Sequence, residues 1–129
     1  MARLILDTNL LVAAERTGEL VGVQPDDDLA VAAISLAEFE VGILAASTRK
    51  ATARRQALFD EILATTQVLD YTRHTAAAHA ALLEHVRESG TPRGAHDLII
   101  AAHARETGRA IASTDRRARF AELPGVTVR

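Results

Sequence analysis

The 129-residue sequence contains no cysteine, so neither a disulfide nor a cysteine-ligated zinc site can form. Tryptophan is also absent and aromatic residues are few, so alanine, leucine, isoleucine and valine must build the core. The longest apolar stretch that could cross a membrane, residues 29–46, contains Glu38 and Glu40. A secretory signal is not expected, because Asp7 interrupts the first apolar run. We therefore expect a cytoplasmic protein that forms a single domain over residues 1–129.

Lysine is nearly absent as well, since Lys50 is the only lysine among 15 basic residues. The formal net charge of −2 argues against a basic module that simply coats nucleic acid. The charge is unevenly distributed, however: residues 1–72 carry six basic and eleven acidic side chains, and residues 73–129 carry nine basic and six acidic ones. The second part of the chain is thus formally positive, and its arginines suit bidentate contacts to phosphate.

Strand-like and helix-like segments alternate along the chain. Gly90 and Gly108 each follow a helical pattern at the position where glycine commonly ends a helix. The alternation predicts an α/β fold with a central, mostly parallel sheet flanked by helices on both faces. The predicted strands cover residues 4–6, 29–34, 67–69, 110–114 and 126–128. The predicted helices begin at Thr8 and cover residues 35–46, 51–64, 75–89, 95–107 and, as a short helix, 116–122.

Four acidic residues occupy related positions in this pattern. Asp7 and Asp115 directly follow predicted strands, whereas Glu38 and Asp97 lie early in predicted helices. The carboxyl ends of parallel strands face one crevice, and helices entered from those strands begin at the same edge. Four carboxylates gathered there repel one another unless protons or cations compensate their charge. Mg²⁺ or Mn²⁺ would resolve this conflict, and a metal held by carboxylates acts on phosphates.

Each acid also has a structural explanation. Asp7 and Asp115 could cap the helices that follow them, since aspartate is a good N-cap residue. Ser35 and Glu38 have the spacing of a capping box. Asp97, near the start of its helix, would interact favourably with the helix dipole. These roles account for each acid singly but leave the repulsion among the four uncompensated.

Four short motifs resemble, in order and spacing, those of PIN-domain ribonucleases, and especially the VapC toxins of type II toxin–antitoxin pairs. Asp7-Thr8-Asn9 resembles the opening signature of these proteins. Residues 37–42 and 97–102 are similar to their Ala-Glu-Leu-x-x-Gly and Asp-x-x-Ile-Ala-Ala segments. Residues 113–115 resemble their final Thr-x-Asp or Thr-Asn-Asp element, although here Ser113 precedes Thr114-Asp115. The resemblance extends over essentially the whole chain.

The resemblance implies a compact PIN fold, a homodimer and RNA cleavage at an acidic site that uses Mg²⁺ or Mn²⁺. It implies two partners, an RNA substrate and a VapB-like antitoxin whose tail occupies the cleft, commonly with a basic side chain. Asp7 and Asp97 are then expected to hold the metal directly. Glu38 and Asp115 would ligate it or orient its waters, so that all four acids are candidate catalytic residues.

Further residues beside the acids are candidates for supporting roles. Asp70 also follows a strand-like run, but the residues after it lead into a helix, and we expect it to be structural. Three polar residues are expected to orient the carboxylates by hydrogen bonds: Thr8, Asn9 and Thr114. Three arginines close in sequence to the acids are predicted to contact RNA phosphates: Arg93, Arg116 and Arg117.

Other classes of protein fit the sequence less well. A receiver-type signalling domain also binds Mg²⁺, but it needs an adjacent acid pair where Thr8 and Asn9 stand and a lysine after the last strand. Asn9 likewise breaks the Asp-x-Asp motif of haloacid-dehalogenase-like phosphatases. A catalytically silent PIN-like module, which would act only through protein partners, remains an alternative, although the intact set of four acids counts against it.

Overall fold

The computed structural model describes residues 1–129 and has the predicted α/β architecture. The strands are β1 (Arg3–Leu6), β2 (Asp28–Ala32), β3 (Gln67–Leu69) and β4 (Ala110–Ala112). The helices are α1 (Thr8–Thr17), α2 (Ala33–Leu44), α3 (Arg49–Thr65), α4 (Arg73–Ser89) and α5 (Ala95–Thr107), and Phe120–Glu122 forms a 3₁₀ turn. No helix is both long enough and apolar enough to cross a membrane.

The four strands form one parallel sheet in the order β3-β2-β1-β4. Strand β1 lies in the middle, and its Leu6 is in register with Ala112 of β4. The predicted last strand contributes only an isolated bridge, in which Val128 pairs with Ile111 on the outer side of β4. Because β1 and β4 are neighbours, the residues that follow Leu6 and Ala112 meet at the carboxyl edge of the sheet.

Helices cover both faces of the sheet, as predicted. Leu4 and Leu6 point into a core formed with α1, α2 and α3, whereas Ile5 and Ile111 point into a second core formed with α4 and α5. This alternation follows from the period of two along a strand. Residues 4–6 of β1 are fully buried whichever face they point to, which explains why this run is apolar without interruption.

Helix α2 begins earlier than the sequence predicts. Strand β2 ends at Ala32 and α2 starts at Ala33, so Ser35 lies inside the first turn and does not cap the helix. The expected capping box between Ser35 and Glu38 is therefore absent, and both side chains are available for other contacts. Helix α4 also starts earlier than predicted, at Arg73, because Thr72 supplies its capping box.

Arg109 joins the strands at the opposite, amino edge of the sheet. Its side chain is buried, and one guanidinium nitrogen donates to the Leu4 carbonyl (3.2 Å) and to the carbonyl and a carboxylate oxygen of Asp28 (2.9 and 3.2 Å). The other terminal nitrogen donates to Gln67 Oε1 at 3.2 Å. One residue thus connects β1, β2 and β3, and it leaves the carboxyl edge free for the functional site.

Candidate functional site

All four predicted acids lie at the carboxyl edge of the sheet. Asp7 follows β1 directly, Asp115 follows β4 after two residues, Glu38 lies in the second turn of α2, and Asp97 is the third residue of α5. Their charges act on one another: Asp115 and Glu38 both raise the pKa of Asp7, and the other three acids all raise the pKa of Asp97. The structure therefore brings together four carboxylates that are far apart in sequence.

Asp7 is the most deeply buried member of the set, with 2% of its surface exposed. Burial raises the pKa of this carboxyl, and hydrogen bonds from the Ser113 hydroxyl and the Thr8 backbone amide oppose the rise. Asp7 occupies the N-cap position of α1, but its side chain makes none of the expected capping hydrogen bonds. Its Oδ2 accepts instead from Ser113 Oγ at 2.6 Å.

Asp97 accepts no hydrogen bond from another side chain, and it is half-buried. Burial is the main cause of its raised pKa, followed by the charges of the other acids, while nearby His96 lowers it. The residue before α5 is Gly94, where an added Cβ atom would lie 2.9 Å from Asp97 Oδ2. A side chain at position 94 would therefore have to displace the Asp97 carboxylate.

Glu38 is held from two sides. Thr8 Oγ1 lies 3.1 Å from Glu38 Oε1 and 2.9 Å from Ser35 Oγ. A carboxylate oxygen can only accept, so Thr8 is the donor in its bond to Glu38. His96 Nδ1 lies 3.4 Å from the other carboxylate oxygen, Glu38 Oε2. Both oxygens of Glu38 thus have a neighbour that fixes their direction.

Asp115 is also held at both oxygens. Its Oδ2 accepts from Asn9 Nδ2 at 3.0 Å, and its Oδ1 accepts from the Arg117 backbone amide at 2.9 Å. The second bond closes a turn of the chain, but no α-helix follows, since only the 3₁₀ turn at Phe120–Glu122 forms. The short helix predicted around residues 116–122 is therefore confined to Phe120–Glu122, and Asp115 stabilises the loop before it.

The supporting hydroxyl next to Asp115 is not the one that the sequence indicates. Thr114 is exposed and makes no hydrogen bond to an acid, whereas Thr8 and Asn9 contact Glu38 and Asp115. Ser113 takes the role expected of Thr114. The strand register explains this choice: Leu6 of β1 pairs with Ala112 of β4, so the next residues along the two strands, Asp7 and Ser113, lie side by side.

The three predicted arginines differ in their surroundings. The Arg93 side chain is only 5% exposed and lies 3.7 Å from Glu122, so little of it is available to a ligand. Arg116 and Arg117 are exposed and have no carboxylate partner. They line a cleft of about 500 Å³ together with Arg16 of α1, which the sequence analysis did not single out.

No three acidic or histidine side chains are arranged so that they already enclose a cation. The donor set nevertheless suits Mg²⁺ or Mn²⁺. Mg²⁺ keeps several of its waters and is commonly held by only one or two carboxylates. Asp7 has one oxygen without a side-chain partner, and Asp97 has two. Uncompensated carboxylates at a shared edge are the groups that a hard cation would neutralise.

Comparisons with known proteins identify relatives of the chain and of its fold. A family model described as PIN domain matches residues 4–126. Ribonuclease VapC5 of Mycobacterium tuberculosis is 35% identical over 98 residues, which cover 76% of this chain and 72% of that protein. A chain of VapBC-5 from M. tuberculosis, a member of the VapBC family of toxin–antitoxin systems, superposes with a TM-score of 0.80 at 29% identity, covering 99% of this chain and 98% of its own. A chain of DNA-bound VapBC from Salmonella typhimurium has the same fold, with a TM-score of 0.84 at 23% identity over 100% and 98% of the two chains.

Proposed function

This chain belongs to the PIN domain family, and we propose that it is an endoribonuclease, the toxin of a VapBC-type toxin–antitoxin pair. The observation that carries the proposal is the convergence of Asp7, Glu38, Asp97 and Asp115 at one sheet edge, where burial and then the charges of the other acids raise the pKa of Asp7 and Asp97. The likeness to a protein named ribonuclease and to chains of VapBC complexes supports the same function. Its RNA substrate would be met in the cytoplasm.

The proposed cofactor is Mg²⁺ or Mn²⁺, held directly by Asp7 and Asp97, with Glu38 and Asp115 as ligands or as acceptors for its waters. When bound, such a metal supplies a nucleophile at neutral pH and stabilises the charge that develops on the phosphate oxygens. The catalytic acids are thus the groups that assemble the site rather than groups that attack the RNA themselves.

The surrounding residues hold these acids in place before substrate arrives. Ser113 fixes one oxygen of Asp7, Thr8 fixes Glu38, and Asn9 fixes Asp115. Such outer hydrogen bonds set the direction of carboxylate oxygens at metal sites. Hydrolysis then adds water to phosphorus as the bond to the 3′ oxygen breaks, which leaves a 5′-phosphate and a 3′-hydroxyl.

The acidic pocket also favours the proposed partners. An antitoxin of the VapB type would neutralise the uncompensated carboxylates by inserting a basic side chain of its tail, and this would exclude the metal and the RNA together. The toxin itself is proposed to be a homodimer, as the resemblance to VapC toxins implies.

The deciding experiment is cleavage of total RNA by the purified chain with Mg²⁺ or Mn²⁺, with and without a chelator. Asp7→Asn and Asp97→Asn should abolish cleavage and weaken Mn²⁺ binding measured by calorimetry. Asp70→Asn is the matched control, because Asp70 follows β3 at the same edge but lies outside the group of four acids. It should cut as the wild type does.

Two outcomes would contradict the proposal. Full cleavage by both Asp7→Asn and Asp97→Asn would remove the acids from the mechanism, and full cleavage in chelator would remove the metal. A folded chain that binds neither Mn²⁺ nor RNA would favour the catalytically silent interaction module.

A further inference from the structure

Most basic side chains of this protein are already engaged. Six of the 15 lie within ion-pair distance of a carboxylate: Arg54, Arg55, Arg87, Arg93, Arg109 and Arg129. Arg3 and Arg105 donate to backbone carbonyls. The side chains without such a partner are Arg16, Arg49, Lys50, Arg73, Arg116, Arg117 and Arg119. Four of these seven line two clefts that Asp115 also lines: Arg16, Arg116, Arg117 and Arg119. Such a concentration of unpaired positive charge favours the binding of a negatively charged ligand.

The cleft on the α1 side of Asp115 has the strongest positive charge. It has a volume of about 500 Å³, and we call it the α1 cleft. Helix α1 contributes Asn9, Val12, Ala13 and Arg16, and the loop after β4 contributes residues 114–117. Three guanidinium groups thus face one carboxylate. Asp115 offsets only one of these three positive charges, and none of the three guanidinium groups lies within ion-pair distance of it.

We propose that the α1 cleft binds a backbone phosphate of the RNA strand adjacent to the scissile one, with Arg16, Arg116 and Arg117 as its ligands. This inference rests on the proposed nuclease function and gives the bound strand a direction: it leaves the acidic pocket past Asp115 and over the end of α1. Guanidinium groups suit phosphate because their planar donors bind two oxygens at once.

The position of the cleft favours RNA over an acidic peptide. Asp115 belongs to the group of four acids and, with Asn9, also lines the α1 cleft, so the two sites are adjacent. A ligand that fills both must place a cleavable phosphate at the four acids and a further anionic group in the α1 cleft. A polynucleotide strand meets both needs with its repeating phosphates. A peptide whose acidic side chains entered the α1 cleft would also bring negative charge close to the four carboxylates. Unlike RNA, however, it has no phosphate that could bind the metal there.

Arg16 is the informative residue to replace, because it lies on α1 whereas Arg116 and Arg117 lie on the loop after β4. It lies in the last turn of α1, where a basic side chain interacts favourably with the helix dipole. That interaction contributes only about 0.3–1 kcal/mol to stability at an exposed site. Replacement of Arg16 should therefore leave the fold intact, and RNA binding is the informative measurement.

The experiment measures the binding of a fluorescein-labelled oligouridine by anisotropy in chelator, with Asp7→Asn as the background so that the RNA is not cut. Adding Arg16→Gln should weaken binding about tenfold, as expected for a lost charge-assisted hydrogen bond. It should also reduce the slope of log affinity against log salt by about 0.7 for each lost phosphate contact. Arg116→Gln with Arg117→Gln should give a larger loss of the same kind.

Arg49→Gln and Arg73→Gln are the matched controls, since both arginines lack a partner but lie away from Asp115, and they should change neither quantity. Equal affinity for Arg16→Gln and Arg49→Gln would overturn the assignment of the cleft. If cleavage by the wild type still depended on Asp7, the nuclease function would stand without this subsite. Binding of polyglutamate that is lost in Arg16→Gln, with RNA binding unchanged, would assign the cleft to an acidic protein partner instead.

Discussion

Ser113 Oγ donates its hydrogen to Asp7 Oδ2 across 2.6 Å, and Ser113 Oγ itself accepts from the Asp115 backbone amide at 3.0 Å. One small side chain thus connects the most buried acid to the loop that carries a second one. A hydrogen bond to a carboxylate lowers its pKa, and this bond opposes the rise that burial causes in Asp7. Ser113 therefore helps to keep Asp7 charged and pointing in one direction.

Removal of this hydroxyl should impair the site without unfolding the protein. We expect Ser113→Ala to reduce RNA cleavage and Mn²⁺ affinity by about 10- to 100-fold, as is typical when a residue that orients a metal ligand is lost. Thr114→Ala is the matched control, because this neighbouring hydroxyl is exposed and makes no hydrogen bond to an acid. If Ser113→Ala and Thr114→Ala had equal activity, the Ser113 bond would have no part in the reaction.

Gly94 is expected to be required for a steric reason. An added methyl group would lie 2.9 Å from Asp97 Oδ2, so Gly94→Ala should rotate or displace the carboxylate and lower cleavage at least about tenfold. The backbone there is compatible with alanine (φ −61°, ψ 139°), so the unfolding temperature should not fall.

Gly42→Ala provides the comparison for Gly94, since a Cβ at position 42 has no neighbour within 4 Å and the residue lies inside α2. It should raise the free energy of unfolding by about 0.5–1 kcal/mol and leave activity unchanged. Cleavage by Gly94→Ala at the wild-type rate would mean that Asp97 tolerates displacement and is not a fixed ligand.

The positions of the four acids could be predicted because each depends on a local signal. Asp7 and Asp115 follow apolar strands, and Glu38 and Asp97 lie early in helices, so an alternating α/β pattern alone brings all four acids to one edge. The choice between Ser113 and Thr114 depends on the register of β1 against β4, which joins residues more than a hundred positions apart. A single sequence carries no signal for that pairing.

Two further differences have similar causes. The capping box that the spacing of Ser35 and Glu38 allows does not form, because β2 ends two residues before its apolar run does. Ser35 therefore lies inside the helix and beside Thr8. Arg93 is close in sequence to Asp97, but its side chain turns inward to Glu122 of the 3₁₀ turn. Residues that are close in sequence have backbones that are close in space, but the direction of a long side chain depends on the elements that pack around it.

Arg109 should be among the residues most important for stability. Its loss would remove the guanidinium donors to the Leu4 and Asp28 carbonyls and to Gln67 Oε1, and a hydrogen bond that involves a charged group typically contributes about 1.5–3 kcal/mol. We expect Arg109→Ala to lower the free energy of unfolding by about 2–5 kcal/mol in urea titrations. Arg109→Lys should recover only part of this, because an ammonium group cannot reach Asp28 and Gln67 together.

Arg73→Ala serves as the control for Arg109, since Arg73 is exposed and has no carboxylate partner; it should change stability by less than about 0.5 kcal/mol. An effect of Arg109→Ala within that range would show that the hydrogen bonds at the amino edge of the sheet contribute nothing to folding.

His103 should make stability depend on pH in a direction opposite to that of an ion-paired histidine. It is buried in α5 with the Tyr71 ring against it, and burial lowers its pKa below the ordinary value of 6.5. The charges of Glu106 and Asp70 oppose this shift, and that of His79 adds to it. The folded state therefore binds fewer protons than the unfolded chain, so His103 destabilises the fold as pH falls through 6.5 towards its lowered pKa.

The measurement that tests this is the free energy of unfolding in urea from about pH 8 to about pH 5, for wild type and His103→Gln. Within that interval His103 adds at most about 1.4 kcal/mol per pH unit to the slope, and the variant should lose this contribution. His74→Gln, at an exposed position of α4, should keep the wild-type slope. A uniform loss of stability in His103→Gln leaves the slope unchanged and does not bear on this prediction. Parallel profiles for wild type and His103→Gln, in contrast, would show that His103 titrates alike in the folded and unfolded states.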